Sequence, residues 1–235
     1  MSFNIATVPD QLKLCNVMLL VSSCSASPCT ALWRTCLRDG KSALFAVPMI
    51  VLLEVAGNPT AYPGFTKYKK PVALVIAPTK GLAANIVFEL AVLRVPALAY
   101  TSDVLADARK AGRNITSEIM SCRWPIVCID PEHLMDKQWE RITDCQLFRD
   151  NIAFVSADEA HLIDEWGEDF RPAFRHIGNF IRGRLPPNVA VSALTATLGS
   201  NAAAGPYELF AILLSFVHRV CQISGPGGTR FLKAL

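Results

Sequence analysis

A chain of 235 residues has room for one large domain or two small ones, and its hydrophobic fraction of 51% supplies an ample core and excludes a disordered chain. A net charge of +3 permits nucleic acid as a partner, but so small a charge supplies little non-specific affinity for phosphate. Eight cysteines, at positions 15, 24, 29, 36, 122, 128, 145 and 221, contain no Cys-x-x-Cys pair. That spacing excludes the common metal-binding patterns and a compact disulfide framework, and a reducing intracellular compartment is expected.

Taken in order, the chain begins with Gln11 in a predicted helix and Val17–Val21 as a predicted buried strand, followed by the loop-like Ser22–Pro28. Lys13, the apolar run Leu14–Val21 and the small residues Ser22–Ser27 loosely resemble a secretion signal. The basic flank is a single Lys and the apolar core is short, so that reading is set aside. Gly40-Lys41-Ser42 then opens an apolar helix over Ala43–Val55. A Gly-Lys-Ser at a helix start suits phosphate binding: backbone N–H groups and the helix dipole face the anion, Lys reaches the β- and γ-phosphates, and Ser binds Mg²⁺. The same tripeptide also occurs in ordinary surface turns. Leu44–Val55 is the nearest approach to a membrane span, yet it is short and contains Pro48 and Glu54.

Asn58–Lys70 reads as a loop ending in Lys67, Lys69 and Lys70, which is either a solvated face or a nucleic-acid contact. Val72–Ala77 is the clearest strand, closed by Pro78 and Thr79, and Gly81–Leu93 is helical. Pro96–Tyr100 is a strand, Val104–Met120 a mostly helical stretch, Ile126–Ile129 a strand ending at Asp130-Pro131-Glu132. Helices are expected at His133–Trp139, Asp144–Phe148 and Ala173–Ile181, and strands at Ile152–Val155 and Val189–Leu194. Strands alternating with helices argue a parallel α/β sheet. Each strand is followed by a polar or turn residue, namely Thr79, Ser102, Asp130, Asp158 and Thr195, and their convergence on one sheet edge would make a site.

The most informative stretch follows the strand at Ile152–Val155. Asp158 and Glu159 stand where that strand ends. Paired acids at such a position suit phosphoryl transfer, one holding Mg²⁺ and the other orienting the attacking water. Solvated carboxylates after a core strand are the plain alternative.

At this point the residues resemble a known family, the RecQ-like branch of the DEAD/DEAH-box helicases. Asp158-Glu159-Ala160-His161 resembles its Walker B motif, and Trp166-Gly167-Glu168-Asp169-Phe170-Arg171-Pro172 its aromatic-rich loop. Ala193-Leu194-Thr195-Ala196-Thr197 is similar to motif III, Val75-Ile76-Ala77-Pro78 with Leu82 to motif Ia, and Asp130-Pro131-Glu132-His133-Leu134 to the PE-x-L motif. Phe45 and Pro48 fall where motif I of that branch has an aromatic residue and a proline. The resemblance implies a RecA-like P-loop NTPase domain with a mostly parallel central sheet flanked by helices, over residues 40–198. It implies ATP and Mg²⁺ as cofactors, ATP-dependent 3′–5′ DNA unwinding as the activity, single-stranded or forked DNA as partner, and a nuclear location.

Residue by residue, the resemblance implies that Gly40, Lys41 and Ser42 bind the nucleotide phosphates and that Gln11 reads the adenine. Ser42 and Asp158 would hold Mg²⁺, Glu159 would orient water, and His161 would link the nucleotide to motif III. Trp166, Phe170 and Arg171 would sense single-stranded DNA by stacking, core packing being the alternative for the two aromatics. Thr195 and Thr197 would couple hydrolysis to strand movement. The departures are equally specific. Thr35 stands at the first glycine of motif I, Leu37-Arg38-Asp39 precede Gly40, Ile86 and Glu165 replace expected glutamines, and Gln11 lies too far upstream. An insertion or a mis-joined segment between residues 22 and 39 is therefore expected, with residues 1–39 forming an irregular segment. Residues 199–235 carry no pattern of a second RecA-like domain, so weak activity or none is expected of the single chain unless another chain completes the site. A non-catalytic nucleic-acid-binding or interaction protein derived from a helicase domain is the alternative function.

Overall fold

A computed structural model describes residues 30–34, 42–63, 67–159, 173–186 and 189–195. Six strands form one sheet: β1 (Thr30–Arg34), β2 (Val72–Ile76), β3 (Ala97–Tyr100), β4 (Ile126–Ile129), β5 (Ile152–Ala157) and β6 (Ala190–Thr195). Their spatial order is β1-β6-β5-β2-β4-β3, and every pairing is parallel. The helices are α1 (Ser42–Gly57), α2 (Lys80–Val92), α3 (Ser102–Lys110), α4 (Ile115–Met120), α5 (Lys137–Asp144), α6 (Gln146–Asn151) and α7 (Ala173–Arg184), with a 3₁₀ turn at Pro131–Met135.

The apolar runs become strands because both faces of the sheet are covered. β2, β4 and β5 are buried at every position, the burial expected of parallel strands sandwiched between helices. Alternate residues then serve two separate cores. Val72, Leu74, Ile76, Val127, Ile129 and Val155 pack with Trp139, Phe148, Ile177 and Phe180 on one side. Ala73, Val75, Cys128 and Phe154 pack with Leu44, Phe45, Met49, Ile86 and Leu90, from α1 and α2, on the other.

One expectation is corrected, and another is resolved in finer detail. The strand predicted at Val17–Val21 lies outside the described residues, and the strand that leads to Gly40-Lys41-Ser42 is Thr30–Arg34, paired in register with Val191–Thr195 of β6. Only residues 35–41 separate it from α1 in the chain. The stretch Val104–Met120 is mostly helical as expected, divided between α3 and α4. Gly112 turns the chain at φ +67, a conformation that costs glycine little, and the Asn114 side chain accepts the Ser117 N–H at 3.0 Å to start α4. The helix predicted over His133–Trp139 is likewise broken at Asp136, which is extended (ψ 136) between the 3₁₀ turn and α5.

Phe154 shows how the central strand is packed. Its backbone partners on either side are Ala73 of β2 and Ala190 of β6, so one large ring stands between two small residues and meets the α1 and α2 side chains above them. Replacing Phe154, 1% exposed, by Ala should destabilise the fold by about 3–5 kcal/mol, because flanking alanines cannot close the void. A urea midpoint lowered with an unchanged slope is the expected reading.

Candidate functional site

Because all strands run the same way, their carboxyl ends share one edge. In spatial order this edge carries Arg34, Thr195, Asp158, Ala77-Pro78-Thr79, Asp130 and Thr101-Ser102. The row of polar strand ends read from the sequence is thus brought together by the topology. Lys67, Lys69 and Lys70 precede β2 and lie at the opposite edge. There Lys69 and Lys70 donate their backbone N–H groups to Asn151 Oδ1 at 3.1 and 2.8 Å, and their side chains are exposed.

Asp158 continues the ladder beyond β5, its N–H donating to Ile76 O at 2.9 Å. Two residues earlier, Ser192 Oγ donates to Ser156 Oγ at 2.9 Å, a buried bond between residues in register on β5 and β6. This pins the end of β5 against the strand that terminates in Thr195. Alternation puts Phe154, Ser156 and Asp158 on the α1 side of the sheet. The thiol of Cys128 supports that placement: burial pushes its pKa far up, and the Asp158 carboxylate pushes it further.

Asp158 is buried, at 5% exposure, whereas Glu159 is half-buried. The Asp158 Oδ1 accepts the Glu159 N–H at 2.9 Å, and Glu159 takes a left-handed conformation with φ +48. A non-glycine residue there costs roughly 1–2 kcal/mol, so the chain stores strain to aim this side chain away from the strand direction. Ser42, first residue of α1 and 4% exposed, lies on the same side of the sheet as Asp158. Its hydroxyl donates to Glu89 Oε2 on α2. Thr195 ends β6 level with Arg34 of β1. Gly40, Lys41, Gln11, His161, Trp166, Phe170, Arg171 and Thr197 lie outside the described residues.

Among the described residues no group of three or more His, Cys, Asp or Glu side chains forms a metal cage. The oxygen donors Asp158 and Ser42 instead fit a hard cation that takes one or two protein ligands and completes its shell with phosphate oxygens and water, the habit of Mg²⁺.

The other half of the edge holds a second polar group. Asp130 accepts the His133 N–H at 3.3 Å, capping the 3₁₀ turn, and His133 Nδ1 lies 2.5 Å from Asp136 Oδ2 and its Nε2 3.8 Å from Asp130 Oδ1. The His133 ring meets the Tyr100 ring edge-on at 5.5 Å. Lys80 Nζ donates to Ser102 Oγ, joining the starts of α2 and α3. His133 and Asp136 were not singled out for this role from the sequence, although Asp130, His133 and Asp136 recur every third residue, which is one turn of a 3₁₀ helix.

A wholly parallel sheet flanked by helices, with adjacent acids at its carboxyl edge, defines a RecA-like α/β domain. Residues 39–204 match the DEAD/DEAH box helicase family. This chain belongs to that family.

Its similar relatives include helicases of the RecQ branch. It is 31% identical over 135 residues to the bifunctional 3'-5' exonuclease/ATP-dependent helicase WRN of Mus musculus, covering 57% of this chain and 9% of that protein. It is 28% identical over 144 residues to ATP-dependent DNA helicase Q5 of Rattus norvegicus, covering 60% and 14%. The chain therefore spans a small part of the length of these relatives. Among solved structures, the helicase MrfA bound to DNA and AMPPNP superimposes with a TM-score of 0.52 at 15% identity, covering 94% of this chain and 26% of that one, a likeness of fold.

Burial is the largest influence on Asp130 and holds its carboxyl pKa above the ordinary aspartate value of 3.8, with His133 partly opposing the shift. A raised folded-state pKa means that stability is fully present below the ordinary value and is lost as pH rises through the folded one. Asp130→Asn keeps the cap acceptor and removes the charge. It should be more stable than the parent at neutral pH, with the two melting curves converging below pH 3.8.

Proposed function

We propose that this chain is the ATP-binding domain of a RecQ-like 3′–5′ DNA helicase, in which ATP hydrolysis drives DNA strand separation. The observation that carries the reading is the pair of acids, buried Asp158 and strained Glu159, at the carboxyl end of the central strand β5. Relatives named as ATP-dependent DNA helicases support the choice of nucleotide and of nucleic acid. A nuclear location accords with that substrate.

The chemistry asked of the site is attack by water on the γ-phosphorus of ATP, with cleavage of the bond to the β-γ bridging oxygen. Lys41 neutralises charge on the β- and γ-phosphates, Gly40 offers backbone N–H, and Gln11 reads the adenine. Ser42 and Asp158 would hold Mg²⁺, which would supply neutralisation of phosphate charge. Glu159 orients the water and takes its proton. His161 relays the state of the nucleotide toward Thr195 and Thr197, and the β5–β6 bond between Ser156 and Ser192 gives that relay a rigid base. Trp166, Phe170 and Arg171 stack on single-stranded or forked DNA. An arginine from a second RecA-like unit raises hydrolysis by orders of magnitude in such enzymes, so turnover by this domain alone is slow.

A second reading is favoured by residues 35–39. Thr35 replaces a glycine, and Leu37, Arg38 and Asp39 put bulk and charge where backbone wraps phosphate. A chain that has lost nucleotide binding would serve as a nucleic-acid-binding or interaction protein on a helicase scaffold.

Thermal unfolding with Mg·ATP separates the two. Binding at 100 times Kd stabilises the folded state by about 2.7 kcal/mol, so the parent should melt clearly higher with ligand. Lys41→Ala should lose the shift. Glu159→Gln should keep it while losing hydrolysis. A parent that does not respond to Mg·ATP yet binds single-stranded DNA would establish the second reading instead.

A further inference from the structure

Glu89 belongs to none of the motifs that the sequence brings together, yet it is the hydrogen-bond partner of Ser42. It stands in α2, which lies beside α1 on one face of the sheet, with Leu44, Phe45 and Met49 in the same buried cluster as Ala83, Ile86 and Leu90. Its carboxylate is fixed at both oxygens: Oε1 accepts from Asn85 Nδ2 at 2.8 Å, one helical turn earlier, and Oε2 accepts the Ser42 hydroxyl proton. The two partners are 47 residues apart in the chain.

A hydroxyl has one proton and two lone pairs. It ligates a cation only through a lone pair, and its proton then needs an acceptor of its own. Ser42 is 4% exposed, so bulk water is a poor substitute for that acceptor. With the proton given to Glu89, the lone pairs of Oγ are directed elsewhere. A carboxylate also adds a negative charge one bond beyond the ligand, which favours a divalent cation. Groups that orient a metal ligand in this way change metal affinity substantially when removed.

We infer that Glu89 is a positioning residue for Mg²⁺: it orients the Ser42 hydroxyl and thereby sets the Mg²⁺ concentration at which ATP is bound. The inference rests on the ATP-binding reading above. Glu89 acts through Ser42 and does not touch the nucleotide.

The test is a Mg²⁺ titration at fixed, saturating ATP, read by thermal shift, on the parent, Glu89→Ala and Glu89→Gln. Glu89→Ala should need about 10-fold more Mg²⁺ than the parent for its half-maximal shift. Glu89→Gln, whose amide oxygen still accepts the hydroxyl proton without the charge, should fall between them. A merely structural role would lower the melting temperature without nucleotide and leave the Mg²⁺ midpoint where it was. An unchanged midpoint in a parent that responds to Mg·ATP overturns the inference alone. A midpoint lowered in Glu89→Ala also overturns it, since Glu89 would then be competing with phosphate for the start of α1. A parent that shows no shift at any Mg²⁺ concentration overturns the ATP-binding reading and this inference together.

Discussion

The parallel pairing of β5 with β2 on one side and β6 on the other is the constraint on which the site depends. It places Asp158 one residue past the ladder, with its N–H on Ile76 O, and it sets Ser156 opposite Ser192. Side chains alternate along a strand, so a slip of one residue would turn Asp158 away from α1 and move Phe154 out from between Ala73 and Ala190. Core packing and site geometry are therefore specified by the same register. The register that sets this phenyl ring under α1 and α2 also sets Asp158 on their side of the sheet.

That arrangement concentrates unfavourable terms at one edge. Asp158 and Asp130 are both buried carboxylates, and burial raises the pKa of Asp130. Glu159 takes a backbone conformation that L-residues avoid. Local hydrogen bonds offset part of this: Asp158 accepts from the Glu159 amide, and Asp130 from the His133 amide. Nearby, the Tyr100 hydroxyl and the Trp139 indole N–H are buried with no hydrogen-bond partner among the described residues, and burial, reinforced by Asp136, pushes the tyrosine pKa up to about 12. The opposite edge is not free of such groups: the Tyr68 hydroxyl is buried between the exposed Lys67 and Lys69.

Much of the sheet was legible in the residues. β2, β4 and β5 are short apolar runs because parallel strands are covered on both faces, and a run of that kind is visible without any partner. The helix breaks at Gly112 and Asp136 were not legible from apolar content. They depend on one left-handed glycine, on an asparagine cap and on an extended aspartate, local backbone choices that hydrophobic pattern does not report. The first described strand was not legible either: Thr30–Arg34 is a weakly apolar run, it stands at the edge of the sheet among the described strands, and its place is set by register with β6.

The sequence by itself determined the class of fold, the acid pair and the order of the helicase motifs, because each is a local pattern of residue type and spacing. Only the tertiary structure decided that Thr30–Arg34 pairs with β6, that Ser156 meets Ser192, and that Glu89 holds Ser42. The physical reason is the same in each case. These contacts join residues tens of positions apart, and nothing in either partner's neighbourhood specifies the other until the sheet has set their register.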